Sequence, residues 1–156
     1  MSQITLEKQC VIQRPIDVVR AHFLDFDHHI QKDVHKGVHY TVLSRGAQTR
    51  VRSRFKVLGL PKQDEILVYE DHQGNVVQEF VRGDFEGGTL KVQFLEEAPG
   101  RTHLRATFDV PARGVNWLMK PIVRSVISRI ADQAIEEDRV DLEQGGYAPV
   151  RETQPA

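Results

Sequence analysis

The chain reads as an α+β domain. A curved antiparallel sheet of about six to seven strands wraps round one long C-terminal helix, with two short helices after the first strand. Three observations predict this. Residues 115–143 are the only long stretch with a helical period. Residues 38–110 alternate with period two and are cut by short turns. A short helical segment opened by Pro15 separates that run from an isolated first strand.

Residues 4–12 read as the first strand, with Ile4, Leu6, Lys8, Cys10 and Ile12 on one side. Arg14-Pro15 stops it, and Pro15 suits the first turn of a helix, where its missing N–H costs nothing. Ile16, Val19, Phe23 and Phe26 fit that helix. A second short helix or irregular turn runs to about His35, and Lys36-Gly37 ends it.

From Val38 the period is two. Val38, Tyr40 and Val42 alternate with His39, Thr41 and Leu43. After the Arg45-Gly46-Ala47-Gln48 turn, Val51, Ser53, Phe55 and Val57 alternate with Arg50, Arg52, Arg54 and Lys56. Gly59-Leu60-Pro61 is expected to break the chain before the next strand, 64–71. Strands over 76–82, 89–96 and 102–110 follow, punctuated by His72-Gln73-Gly74-Asn75, the bend 83–88 and Ala98-Pro99-Gly100.

In the long helix, Val123, Ile127, Ile130, Ala131 and Ala134 share one face, flanked by Ile135 and Leu142. Arg129, Asp132, Glu136 and Arg139 take the opposite face. Pro121 predicts a kink or a separate first turn. Asp138 breaks the apolar stripe near its centre. A carboxylate facing a core is costly unless paired, hydrogen-bonded or bound to a metal. Gly145-Gly146 ends the helix, giving a single domain over 1–144 and a flexible tail over 145–156.

A net charge of −1 argues against nucleic acid as the main partner. The one cysteine, Cys10, excludes an internal disulfide, a self-contained cysteine zinc site and a cysteine-ligated iron–sulfur cluster. No apolar run reaches membrane-spanning length, and the first residues lack the pattern of a signal peptide. A cytoplasmic location is the expectation.

The stretch from Asp25 to His35 is the most unusual. With His39 it holds four of the seven histidines: His28, His29, His35 and His39. Imidazoles with a carboxylate can bind a divalent metal, and two histidines with one carboxylate leave positions open for oxygen and substrate. Asp138 could supply the carboxylate. The same residues also read as a solvated link in which Asp25 or Asp27 caps the second helix, with Asp138 in a buried structural bridge to a histidine or arginine.

Weaker candidates have plainer readings. Arg50, Arg52, Arg54 and Lys56 read as a solvated strand face, without the aromatic interleaving that nucleic-acid binding wants. Residues 83–88 lack a Lys-Ser/Thr ending and read as a hairpin bend. Ser44, Ser53, Ser125 and Ser128 have no base placed beside them. Cys10 reads as a small packed residue. Phe55, Tyr69, Phe80, Phe94, Phe108, Trp117 and Met119 are candidates to line a cavity between sheet and helix, or are plain core.

The element order resembles the helix-grip fold of the SRPBCC superfamily. The local marks are the lead-in Arg14-Pro15-Ile16-Asp17-Val18-Val19 and the single long helix at the end. That superfamily includes START lipid-transfer domains, the birch pollen allergen, polyketide aromatase/cyclases and the catalytic domains of Rieske oxygenases. The resemblance implies a cavity for a small hydrophobic or aromatic molecule, the partner expected first. Asp25, His29 and His35, with the run Glu137-Asp138-Arg139-Val140-Asp141, also resemble the mononuclear iron site of Rieske catalytic domains. That likeness implies His29, His35 and Asp138 as ligands, with His28 as a substitute for His29 and Asp25 orienting a ligand histidine. Iron or zinc fits such a set. Iron would need an external electron donor, because the family's cluster-binding domain is absent from this sequence. Three functions follow as expectations: a ligand-binding module, a stand-alone non-haem metal enzyme, and a metal-free cyclase-like enzyme.

Overall fold

The computed structural model describes residues 3–149. Strand β1 (Gln3–Ile12) leads into helices α1 (Ile16–Leu24) and α2 (Phe26–Gln31). Strands β2 (His39–Ser44), β3 (Thr49–Val57), β4 (Leu60–Glu70), β5 (Val76–Gly83), β6 (Thr89–Ala98) and β7 (Arg101–Pro111) follow, and α3 (Lys120–Gln144) closes the fold. The strands form one sheet in the order β1-β7-β6-β5-β4-β3-β2, every neighbour antiparallel. This is the helix-grip arrangement. Six strands run as a meander from one edge, and β1 returns to the other edge beside β7.

The core lies between the sheet's inner face, α1, α2 and the second half of α3. Ile4, Leu6 and Ile12 are buried on β1, as their alternation requires. Lys8 shares their side and reaches Asp132 (2.9 Å) and Ser128 (2.6 Å) on α3, so its stem packs while its ammonium is paired. The main cluster joins Ile12, Val19, Phe23, Phe26, Val51, Ile66 and Leu104 to Leu142. A smaller one gathers Ile4, Leu6, Val110 and Ala112, against which Val123 and Ile127 of α3 pack.

Three elements differ from the sequence expectation. The β3–β4 turn is a two-residue hairpin at Leu58 (φ 52°) and Gly59 (φ 77°), and β4 begins at Leu60, not at 64. Pro61 pairs with Lys56 inside the strand. It lies beyond the end of β5, where that side of β4 has no partner strand, so its missing N–H is tolerated. The long helix starts at Lys120, not at 115, and Pro121 occupies its first turn, where its missing N–H breaks no helical hydrogen bond. Residues 116–119 form a turn in which the Met119 N–H donates to the Asn116 side chain at 2.9 Å.

The third difference concerns residues 145–149, expected to begin a loose tail. Tyr147 is buried, and its hydroxyl donates to Asp25 at 3.0 Å. Arg14 ties this end down, donating to the carbonyls of Leu142 (2.6 Å) and Tyr147 (2.7 Å). Residues 150–156 lie outside the described residues. Among those described, no helix is long and apolar enough to cross a membrane.

Candidate functional site

The polar cluster forms where α1, α2 and the end of α3 meet. Asp25 sets the geometry of α2. Its carboxylate accepts from the His28 N–H at 3.0 Å, capping the helix as the plainer reading expected. Its carbonyl lies 2.7 Å from His29 Nδ1. A carbonyl can only accept, so Nδ1 carries the proton and Nε2 is directed at α3. Asp25 therefore orients His29, through its backbone and not through its carboxylate. Past α2, Asp33 takes φ 48° and turns the chain, which returns His35 beside His29. The two rings stack with centroids 5.2 Å apart.

Asp138 is the centre. It is buried, and one oxygen, Oδ1, lies 2.9 Å from His29 Nε2, 3.3 Å from His35 Nε2 and 3.7 Å from His22 Nδ1. Burial opposes its charge, but His35 and His29 outweigh that and hold its carboxyl well below the usual carboxylate range. Burial likewise opposes a charge on His35, and Asp138 with Glu137 (3.4 Å) raises its pKa above the ordinary histidine value. The chain therefore brings His29, His35 and Asp138 together.

Two members were not singled out from the sequence. His22, on α1, is completely buried, and burial pushes its pKa down to about 4. Its Nε2 is 2.8 Å from Asp141 Oδ2, an oxygen that His28 also reaches at 2.6 Å. Asp141 stands three residues after Asp138, on the same helix face. That spacing and a histidine beside Phe23 on the buried side of α1 were the available signals. His28, the expected substitute for His29, faces Asp141 instead.

The cavity adjoins this cluster. An inner space of about 150 Å³ lies between the sheet and α3. Phe26, Phe55, Phe80, Phe85, Leu90 and Phe108 supply apolar walls, and His29, His35 and Asp138 stand among its lining. Ser53 and Gln78 add polar groups from the sheet. An outer cleft of about 600 Å³ shares Val38, Phe55, Ile130 and Ala134 with it, and is edged by Arg54, Lys56, Lys62 and Glu137.

Of the seven residues expected to line a cavity, Phe55, Phe80 and Phe108 do so. Tyr69 has the opposite parity to buried Ile66 and Val68, and its hydroxyl donates to Glu79 at 2.6 Å. Phe94 packs on Phe23 (5.8 Å) with the Arg20 guanidinium over its ring. Trp117 is 81 % exposed and Met119 41 % exposed, because the turn before α3 lies off the core. The basic row on β3 pairs locally: Arg50 with Glu65 (2.8 Å) and Arg54 with Gln63 (3.0 Å).

No protein-family description and no curated protein matches the sequence. Solved structures match the fold. A protein from Thermus thermophilus superposes with a TM-score of 0.77 at 18 % identity, over 92 % of this chain and 99 % of that one. A START superfamily protein from Mycobacterium smegmatis gives 0.75 at 16 % identity, over 90 % and 97 %. The Zhui aromatase/cyclase from Streptomyces sp. R1128 gives 0.73 at 14 % identity, over 94 % and 100 %.

Proposed function

We propose that this chain binds a small hydrophobic or aromatic molecule in the space between the sheet and α3. The observation that carries the reading is the cavity itself. An apolar space bounded by several aromatic rings has a buried carboxylate and two imidazoles in its lining. Such a combination orients a ligand by one polar group while the rings bury the rest. Well-packed cores leave few voids larger than a water molecule.

Size narrows the class. A cavity of about 150 Å³ takes a single benzene-sized ring. A larger molecule would place one ring inside and extend past Phe55 and Ala134 into the outer cleft. The neighbouring aromatase/cyclase fold is consistent with aromatic or ring-forming ligands, and the START fold with apolar ones.

The test is ligand-induced thermal stabilisation, run in EDTA with a graded series: phenol, 2-naphthol and a hydroxyanthraquinone. A saturable rise in Tm that is lost in an Ala134→Trp variant, which narrows the passage between the two spaces, supports the reading. Equal stabilisation of both proteins by every member contradicts it.

A further inference from the structure

Four histidines and two aspartates meet at the helix junction, and their protons do not balance. His29 Nδ1 carries the hydrogen, because the group it faces at 2.7 Å is the Asp25 carbonyl oxygen. In the neutral ring, Nε2 is then a lone pair 2.9 Å from Asp138 Oδ1. His22 repeats the pattern. Its Nε2 donates to Asp141 Oδ2 at 2.8 Å, so its Nδ1 is a lone pair. That nitrogen is buried, has no hydrogen-bond partner, and stands 3.7 Å from the same Asp138 oxygen. Protonating one ring repairs one of the two contacts. A cation held among the three groups repairs both.

We propose that His22 Nδ1, His29 Nε2 and Asp138 Oδ1 are the protein ligands of one divalent transition-metal ion. Their ligand atoms all lie within 4.8 Å of one another. Ligand atoms about 2.1 Å from an ion stand roughly 3.0–3.5 Å apart. The contacts of 2.9 and 3.7 Å to Asp138 bracket that range.

The far nitrogen of each ring is held as metal-binding histidines are held, by the Asp25 carbonyl for His29 and the Asp141 carboxylate for His22. Two imidazoles and one carboxylate suit zinc, iron, cobalt or nickel and not magnesium or calcium.

This set is not the one that the resemblance to Rieske catalytic domains implied, His29, His35 and Asp138. His22, on α1, takes the place of His35. His35 is a positioning residue. With Glu137 at 3.4 Å on one nitrogen, it donates from the other to Asp138 at 3.3 Å. The ion does not depend on the cavity holding an organic ligand, and the two are tested separately.

The experiment uses the full chain without a His-tag, stripped with EDTA and titrated with Co²⁺ by visible absorption and with Zn²⁺ by calorimetry. One ion per chain is expected. His22→Gln and Asp138→Asn should each weaken binding about a hundredfold or more, and His35→Gln about tenfold, the scale of a residue acting through a ligand. Circular dichroism of each variant checks that it folds.

A second measurement needs no variant. In wild-type protein with ¹⁵N-labelled histidine rings, Zn²⁺ should move the resonances of His22 Nδ1 and His29 Nε2. Absence of saturable Co²⁺ and Zn²⁺ binding by wild-type protein overturns the proposal. So do ring-nitrogen shifts on His28 or His35 in place of His22.

Discussion

His29 and Asp138 come within 2.9 Å although 109 positions separate them. This contact docks α2 on α3 at one side of the cavity. Asp138→Ala should leave the His35 imidazole, which donates to this carboxylate at 3.3 Å, buried without its counter-charge. In urea denaturation of the metal-free protein, a loss of about 3 kcal/mol or more is expected. A loss under about 1 kcal/mol contradicts the role given to this carboxylate.

The closure of the C-terminal helix rests on Arg14. Its guanidinium donates to the carbonyls of Leu142 and Tyr147, one from each nitrogen. Arg14→Ala should cost about 2–3 kcal/mol, the scale of hydrogen bonds made by a charged donor. Arg14→Lys should fall between, because an ammonium cannot span both carbonyls as the planar fork does. Equal stability of all three proteins in chemical denaturation contradicts this.

Asp64 predicts a pH effect away from the cluster. It is buried, one oxygen accepts from the Phe85 N–H at 2.7 Å, and the other has no partner. Burial raises its pKa from 3.8 to about 6. The folded state then holds a proton that the unfolded chain has released. Its contribution to stability is present below the unfolded value and is lost as pH rises through about 6. Asp64→Asn should flatten the stability profile over that range and raise stability at pH 7 by on the order of 2–3 kcal/mol. A profile unchanged by the substitution contradicts the assignment.

Cys10 should be a poor nucleophile. Burial raises its thiol from 9.0 to about 11. At pH 8 the native protein should react with a disulfide reagent about a hundredfold more slowly than the denatured chain. Equal rates would mean that the thiol is exposed.

The sheet and long helix were legible because each turns a simple period into a buried face. Ile4, Leu6 and Ile12 on β1, and Val51 and Val57 on β3, all point where alternation sends them. Asp138 was legible as the one charge in an apolar stripe. His22 was not, because a single histidine on a short helix has no period of its own. Its meaning comes from Asp141, 119 positions away.

Trp117 and Met119 misled because aromatic or apolar character does not fix exposure, and the helix starts later than its apolar residues suggest. The tight turn at Leu58-Gly59 was hidden by a leucine at positive φ, which residue type alone does not announce.

The most direct test of the ligand-binding account is where an aromatic molecule settles. Amide and methyl NMR spectra of the full chain should be followed while 2-naphthol is added in EDTA. The account predicts saturable shifts centred on Phe80, Leu90, Phe108 and Ile130, which line the inner space. Shifts confined to Trp117, Leu118 and Ile122, exposed apolar residues of the turn before α3 and of its first turn, would mean surface adsorption and would contradict it.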